Sequence, residues 1–182
     1  NEEYWIHYVL RDLLKVFDRV VMLDTGSKDA TIRIAQETAK QSHAKFDLIQ
    51  EDFGDNAGKI GNSPNILRAE VKTFWVLLLA GDEILREEQL LMLKDIEFDS
   101  RLYKVGMIVG YNIVDCGGIL KRRDSFSADK FFYPDINWFV TEYPFEGYGQ
   151  HLIAEQGQLC YLPDTFYYWH VRCCKRSSLD AE

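Results

Sequence analysis

The stretch Arg19-Val20-Val21-Met22-Leu23-Asp24-Thr25-Gly26-Ser27-Lys28-Asp29-Ala30-Thr31 runs from an apolar segment straight into a glycine turn and the start of a helix. Val20 to Leu23 is apolar throughout and does not alternate, the pattern of a strand buried on both faces of a parallel sheet. Asp24-Thr25-Gly26-Ser27 stops it abruptly. Asp29 then suits the cap of a helix whose inner face is carried by Ile32, Ile34, Ala35, Thr38 and Ala39.

Outward from this unit the alternation continues. Upstream, Trp5, Tyr8, Val9, Leu13 and Val16 recur at helical steps between Glu3 and Phe17. Downstream, Phe46 to Ile49 reads as a second strand, and Asp52 to Asn62 is a Gly-, Asn- and Asp-rich loop. Ser63-Pro64 is a cap and first-turn pair for a helix reaching Lys72, and Phe74 to Leu79 reads as a central strand. Short buried strands alternating with helices predict an α/β fold, a Rossmann-like, doubly wound and mostly parallel sheet flanked by helices. Such sheets bind ligands beyond the carboxyl ends of their strands. The second half changes character: a Leu-rich helix from Glu87 to Lys94, a strand from Leu102 to Val109, a loop-dense aromatic segment from Phe126 to Tyr148, and a last strand from Phe166 to Trp169.

With 182 residues, 47% of them hydrophobic, the chain suits one domain with a core of its own. A net charge of -8 argues against nucleic acid or an anionic membrane as the main partner. The short basic run Lys121-Arg122-Arg123 reads as a solvated loop. Cys116, Cys160, Cys173 and Cys174 form no CxxC pair, so neither a zinc ribbon nor a disulfide framework is indicated. A zinc cluster of Cys160, His170, Cys173 and Cys174 would need adjacent cysteines as tetrahedral ligands, an awkward arrangement. The expected setting is reducing and cytoplasmic, with a peripheral position at a membrane left open. The longest apolar run, Phe74 to Ala80, is too short for a transmembrane segment. The first residue is Asn, already at the edge of a helical pattern, so a preceding segment is expected upstream.

Three segments carry candidate chemistry. At Asp24 a carboxylate at a strand end can accept hydrogen bonds from a base or ribose, with Gly26 allowing close approach; Asp24 and Ser27 can equally well shape the turn. Trp75-Val76-Leu77-Leu78-Leu79-Ala80-Gly81-Asp82-Glu83 again ends a strand on carboxylates. Such a group can hold Mg²⁺ or Mn²⁺ together with substrate phosphates, or merely cap a turn. Phe166-Tyr167-Tyr168-Trp169-His170 delivers an imidazole suited to complete a Mn²⁺ shell, or to sit satisfied in a core.

Together these segments resemble the inverting family 2 glycosyltransferases of the GT-A fold. Asn1-Glu2-Glu3 looks like that family's Asn-Glu-Glu turn, Leu23 to Thr31 like its Asp-x-Gly-Ser-x-Asp-x-Thr segment, and Trp75 to Glu83 like its Trp-x-Leu-x-Leu-Asp-x-Asp-Glu segment. Asn65 stands where the family often has Arg-Asn. The resemblance implies a single GT-A domain over 1–182, with a nucleotide-sugar-binding half (1–83), an acceptor-binding half (84–182), and the family's first strand upstream of Asn1. It implies that Asn1, Glu2, Asp24, Gly26, Ser27 and Asn65 contact the nucleotide, while Asp82 and His170 hold Mn²⁺ or Mg²⁺. The implied reaction moves a sugar of hexosyl type from a UDP or GDP donor to a hydroxyl on a glycan, lipid or protein, with inversion.

Two departures matter. Ala80 replaces the first aspartate of the metal motif, and Gln150-His151 stands where the family has His-Glu after Phe145-Glu146-Gly147. His151 and Glu146 are the candidate general bases, which the residues alone do not separate, and Glu142 is a weaker one. The aromatics Phe131, Phe132, Tyr133, Trp138, Phe139, Tyr143, Phe145 and Tyr148 read as core before acceptor contacts. Ala80 and Gln150 also suit a nucleotide-sugar-binding domain without turnover. A sugar-phosphate nucleotidyltransferase would want a Gly-rich, basic phosphate loop early in the chain, and none is present.

Overall fold

The helical spacing upstream of Arg19 forms α1 (Ile6–Val16), which buries Ile6, Val9, Leu10, Leu14 and Val16. It ends where Phe17 turns extended, with the Phe17 N–H on the Leu13 carbonyl at 2.9 Å. The computed structural model describes residues 1–54, 56, 59, 62–73, 75–96, 105–115, 120–132, 138–140, 150–152 and 159–181. β1 (Arg19–Asp24) and β2 (Lys45–Gln50) pair in parallel from Arg19 opposite Lys45 to Asp24 opposite Gln50. Between them runs α2 (Thr31–Ala39), making the β-α-β unit expected from the sequence. The cap position is Ala30 rather than the expected Asp29, whose Oδ1 accepts the Thr31 N–H at 3.0 Å from one residue before it. Ile6, Leu10 and Leu14 of α1 and Ala35 of α2 pack with Val20, Met22 and Phe46 to seal this layer.

α3 (Ser63–Glu70) starts one residue earlier than expected, with Asn62 rather than Ser63 at the cap and Pro64 inside the first turn, and ends short of Lys72. The Arg19 guanidinium reaches the Glu70 carbonyl at 2.7 Å and ties α3 to β1. The run expected as a central strand supplies only β3 (Val76–Leu77), at one end of the larger sheet. Its residues are half-buried, as an edge position allows, although their composition matches a strand covered on both faces.

The larger sheet continues with β4 (Glu83–Ile84), β5 (Val105–Asp115), β6 (Leu120–Phe132), β9 (Leu159–Tyr161) and β10 (Tyr167–Cys173). Its order is β3-β6-β5-β10-β4, with β9 beside β5. β5 runs parallel to both β9 and β10, whereas β6 is antiparallel to β5 and β3, and β4 to β10. The sheet is therefore mixed. A shorter antiparallel pair joins β7 (Trp138–Val140) and β8 (Gln150–Leu152).

Two loop expectations are corrected here. Lys121-Arg122-Arg123 and Phe126 to Phe132 both lie on β6, which pairs with β5 along nearly its whole length. Ser125, Ser127 and Asp129 give β6 a loop-like composition, and the ladder to the β-branched β5 overrides that local preference.

α4 (Glu87–Lys94) has the bounds read from its Leu-rich pattern, and it packs Leu90 and Leu93 against Val16 of α1 and Ile108 and Tyr168 of the sheet. Leu85, Leu90, Leu93, Ile108, Phe166 and Tyr168 form the main core with Val16. Cys174 is buried in a separate cluster with Ile113 and Val171, its thiol on the Ile113 carbonyl at 3.6 Å. Among the described residues no helix is long and apolar enough to cross a membrane.

Adjacent leucines of α4 test this arrangement: Leu90 is 0% exposed and Leu91 is 48% exposed. Leu90→Ala should lower unfolding free energy by about 2–5 kcal/mol in urea titrations followed by circular dichroism. Leu91→Ala should change it by no more than about 0.5 kcal/mol. Equal losses would place the core elsewhere.

Candidate functional site

β1 delivers Asp24 buried at its carboxyl end, where Oδ2 accepts the N–H groups of Gly26 at 3.1 Å and Ser27 at 3.0 Å. The turn-shaping role is therefore real. Gly26 sits at φ +115°, a conformation that strains any L side chain, and a Cβ there would also come within 2.9 Å of Asp52 Oδ1, which would have to shift.

Asn1-Glu2-Glu3 is stapled onto this turn. Asn1 Oδ1 accepts the Lys28 N–H at 2.7 Å, and the Glu2 N–H reaches Thr31 Oγ1 at 2.6 Å. Glu3 Oε2 accepts the Ala30 N–H at 2.9 Å, and its other oxygen accepts the Ser178 N–H from the far end of the chain. Hydrogen bonds from the Ser178 side chain, then from the Ala30 and Ser178 amides, hold the Glu3 carboxyl below the ordinary glutamate range. Lys28 also pairs with Asp52 at 3.1 Å.

The second centre forms around Asp82, just before β4 and 6% exposed. Its carbonyl accepts the Val171 N–H at 2.9 Å, which docks the turn onto β10. In that ladder His170 stands opposite Glu83 on one side and Asn112 of β5 on the other. His170 Nε2 lies 3.5 Å from Asp82 Oδ2. Its Nδ1 lies 2.8 Å from Asn112 Oδ1, which can accept the ring N–H, while Nε2 faces Asp82. Arg176 reaches the same aspartate oxygen, with Nη1 at 3.7 Å, and Glu2 Oε1 at 3.1 Å.

Gly81 makes room for this. A Cβ at Gly81 would fall 2.9 Å from Glu2 Cγ, so only glycine lets the Glu2 side chain lie across the turn. Glu2 thus stands with its backbone on the Asp24 side, through Thr31, and its carboxylate on the Asp82 side, through Arg176.

Burial is the largest single influence on the Asp82 carboxyl and pushes its pKa up. The hydrogen bond and charge of His170, then the charge of Arg176, outweigh burial and hold it below the ordinary aspartate value. Beneath the site, burial followed by the neighbouring Glu83 carboxylate pushes the Tyr168 phenol far up, so the phenol stays neutral.

The donor set of Asp82 and His170 fits a small dication. An oxygen and an imidazole nitrogen 3.5 Å apart match two ligands of one ion with bonds of about 2.0–2.2 Å. A ring N–H donated to Asn112 would leave Nε2 as the ligating nitrogen. Among the described residues no group of three or more His, Cys, Asp and Glu forms a closed metal cage.

The structure brings Asn1, Glu2, Asp24, Gly26 and Ser27 around one turn, and Asp82 with His170 around the other. Asn65 hydrogen-bonds Asn62 at the start of α3, at 2.8 Å. The His151 backbone lies in β8 opposite Phe139. Glu146 and Glu142 fall outside the described residues. Arg176 and Asn112 were missed in the sequence. Arg176 follows His170 by six residues in Cys173-Cys174-Lys175-Arg176, where the cysteines drew attention first, and Asn112 carries no local motif.

No protein-family model and no curated protein sequence matches the chain. Among solved structures, residues 1–349 of S. aureus TarS are similar at a TM-score of 0.58 and 16% identity, over 93% of this chain and 57% of that one. The chain thus spans little more than half of the TarS fragment. The shared property is the α/β fold.

Asp82 also predicts a pH signature. Because its folded pKa is depressed, its contribution to stability is whole above the unfolded aspartate value of about 3.9 and is lost as pH falls through the lower folded pKa. The stability gap between wild type and Asp82→Asn in urea titrations should be widest from about pH 5 upward and shrink below about pH 4. A gap independent of pH would contradict the assignment.

Proposed function

We propose that the chain is a glycosyltransferase domain that transfers a sugar from a UDP or GDP donor to a hydroxyl of a glycan, lipid or protein acceptor, with inversion and with Mn²⁺ or Mg²⁺. One observation carries this reading: the tripeptide Asn1-Glu2-Glu3 contacts both the Asp24 turn and the Asp82 cluster. A site for a nucleoside and a site for a charged diphosphate are thereby joined within one tripeptide. TarS, whose fold this chain shares, is a GT-A-like family 2 glycosyltransferase, which supports the same reading.

In this account the turn at Asp24 to Ser27, with Asn1, receives the nucleoside, and Gly26 lets it approach the backbone. Asp82 and His170 would hold the dication, which when bound neutralises charge on the departing diphosphate. Asn112 fixes the His170 ring. The acceptor oxygen forms its bond to the anomeric carbon as the bond from that carbon to the diphosphate oxygen breaks. His151 or Glu146 takes the hydroxyl proton.

A second reading, nucleotide-sugar binding without turnover, is favoured by Ala80. That position is exposed, and its N–H is taken by the Glu83 carboxylate at 2.7 Å, so the nearest acid serves the turn.

Release of UDP or GDP from a panel of donor sugars should require Mn²⁺ or Mg²⁺ and stop with EDTA. Asp82→Ala should lower it by at least about a hundredfold. Of His151→Ala and Glu146→Gln, the one that removes the base should cost about 10²–10⁴ in kcat with little change in donor Kd. Metal-linked UDP binding without turnover supports the second reading. Turnover unaffected by EDTA and by Asp82→Ala defeats the metal assignment.

A further inference from the structure

Arg176 and a dication would use the same atom. The oxygen that His170 Nε2 approaches at 3.5 Å, Asp82 Oδ2, is also the one that Arg176 Nη1 approaches at 3.7 Å. A cation between Asp82 and His170 would therefore meet a fixed positive neighbour. The two partners differ in freedom: the Asp82 side chain is 9% exposed and the Arg176 side chain is 37% exposed. The Arg176 backbone is anchored, since its carbonyl accepts the Tyr4 N–H at 3.0 Å and the adjacent Lys175 carbonyl accepts the Trp5 indole N–H at 2.8 Å. The guanidinium is held more closely by Glu2, at 3.1 Å, than by Asp82, at 3.7 Å, so an incoming anion could draw it off Asp82 while the Glu2 pair and the backbone stay in place.

The geometry points to Arg176 as an intramolecular competitor for the cation site, which makes dication binding depend on the nucleoside diphosphate. Like charge at Asp82 weakens capture of a free dication. A diphosphate attracts the guanidinium off Asp82, because a planar fork of N–H donors suits phosphate oxygens as well as carboxylate oxygens. The cation and the diphosphate then bind with positive coupling, and by linkage each tightens the other by the same factor. This inference rests on the reading that Asp82 and His170 hold the cation.

Calorimetric titration of MnCl₂ into the intact chain, with and without UDP, tests it. In wild type, UDP should tighten Mn²⁺ about tenfold or more. Arg176→Gln should bind Mn²⁺ alone about five- to tenfold tighter than wild type, the effect of removing one partly exposed like charge, and should show weaker coupling to UDP. Arg176→Lys, which keeps the charge, should stay near wild type for Mn²⁺ alone. If Arg176→Gln fails to fold by circular dichroism, Arg176→Met takes its place with the same expectation for Mn²⁺ alone, and absence of coupling in wild type overturns the proposal. Equal or weaker Mn²⁺ affinity in folded Arg176→Gln overturns it as well, while leaving the cation site intact. Loss of all Mn²⁺ binding in wild type, with UDP present, removes the cation site itself and the proposal with it.

Discussion

A buried carboxylate must be answered by positive charge or hydrogen bonds, and at Asp82 that demand ties together distant parts of the chain. The answer comes from His170 on β10 and from Arg176 beyond it, while Asn112 on β5 holds the far side of the imidazole. Arg176 then draws in Glu2, and Glu2 brings the N-terminal tripeptide against Gly81. Removing only one member would leave the remainder with an uncompensated buried charge, so the cluster holds β4, β10 and the amino end in one arrangement.

The same cluster explains why residues 2–5 meet residues 175–178. The Tyr4 N–H and the Trp5 indole bond to carbonyls of Arg176 and Lys175, and Glu3 accepts from Ser178. These bonds fix the backbone beneath the charged side chains. A cluster built this way is held by β-ladder positions and by a stapled tripeptide, which keeps its side chains in one geometry.

Much of this was legible in the sequence, for identifiable reasons. The β1-α2-β2 unit could be read because Val20 to Leu23 is uniformly apolar and because Asp24, Gly26 and Asp29 each have a local geometric task within the same turn. Asp82 and His170 were legible as residue types, but His170 stands in the middle of β10 and Asp82 just before β4, and the ladder that pairs Glu83 with His170 sets them side by side. Other features depend on contacts far apart in the chain. The Ser- and Asp-containing β6 is a strand because β5 pairs with it, and β3 shrinks to an edge pair although its composition suits a sheet centre. Arg176 and Asn112 belong to the site only through tertiary geometry, and no spacing rule reaches across the 64 positions from Asn112 to Arg176.

The central claim is that Asp82 and His170 form a cation site joined to a nucleoside site at the Asp24 turn. Paramagnetic broadening by Mn²⁺ in the ¹⁵N spectrum of the UDP-bound chain tests it most directly. The account predicts that amide signals of Glu2, Gly81, Asp82 and Val171 vanish first, that those of Gly26 and Ser27 follow, and that Asp82→Asn abolishes the pattern. Broadening centred elsewhere, or unchanged in Asp82→Asn, would contradict it.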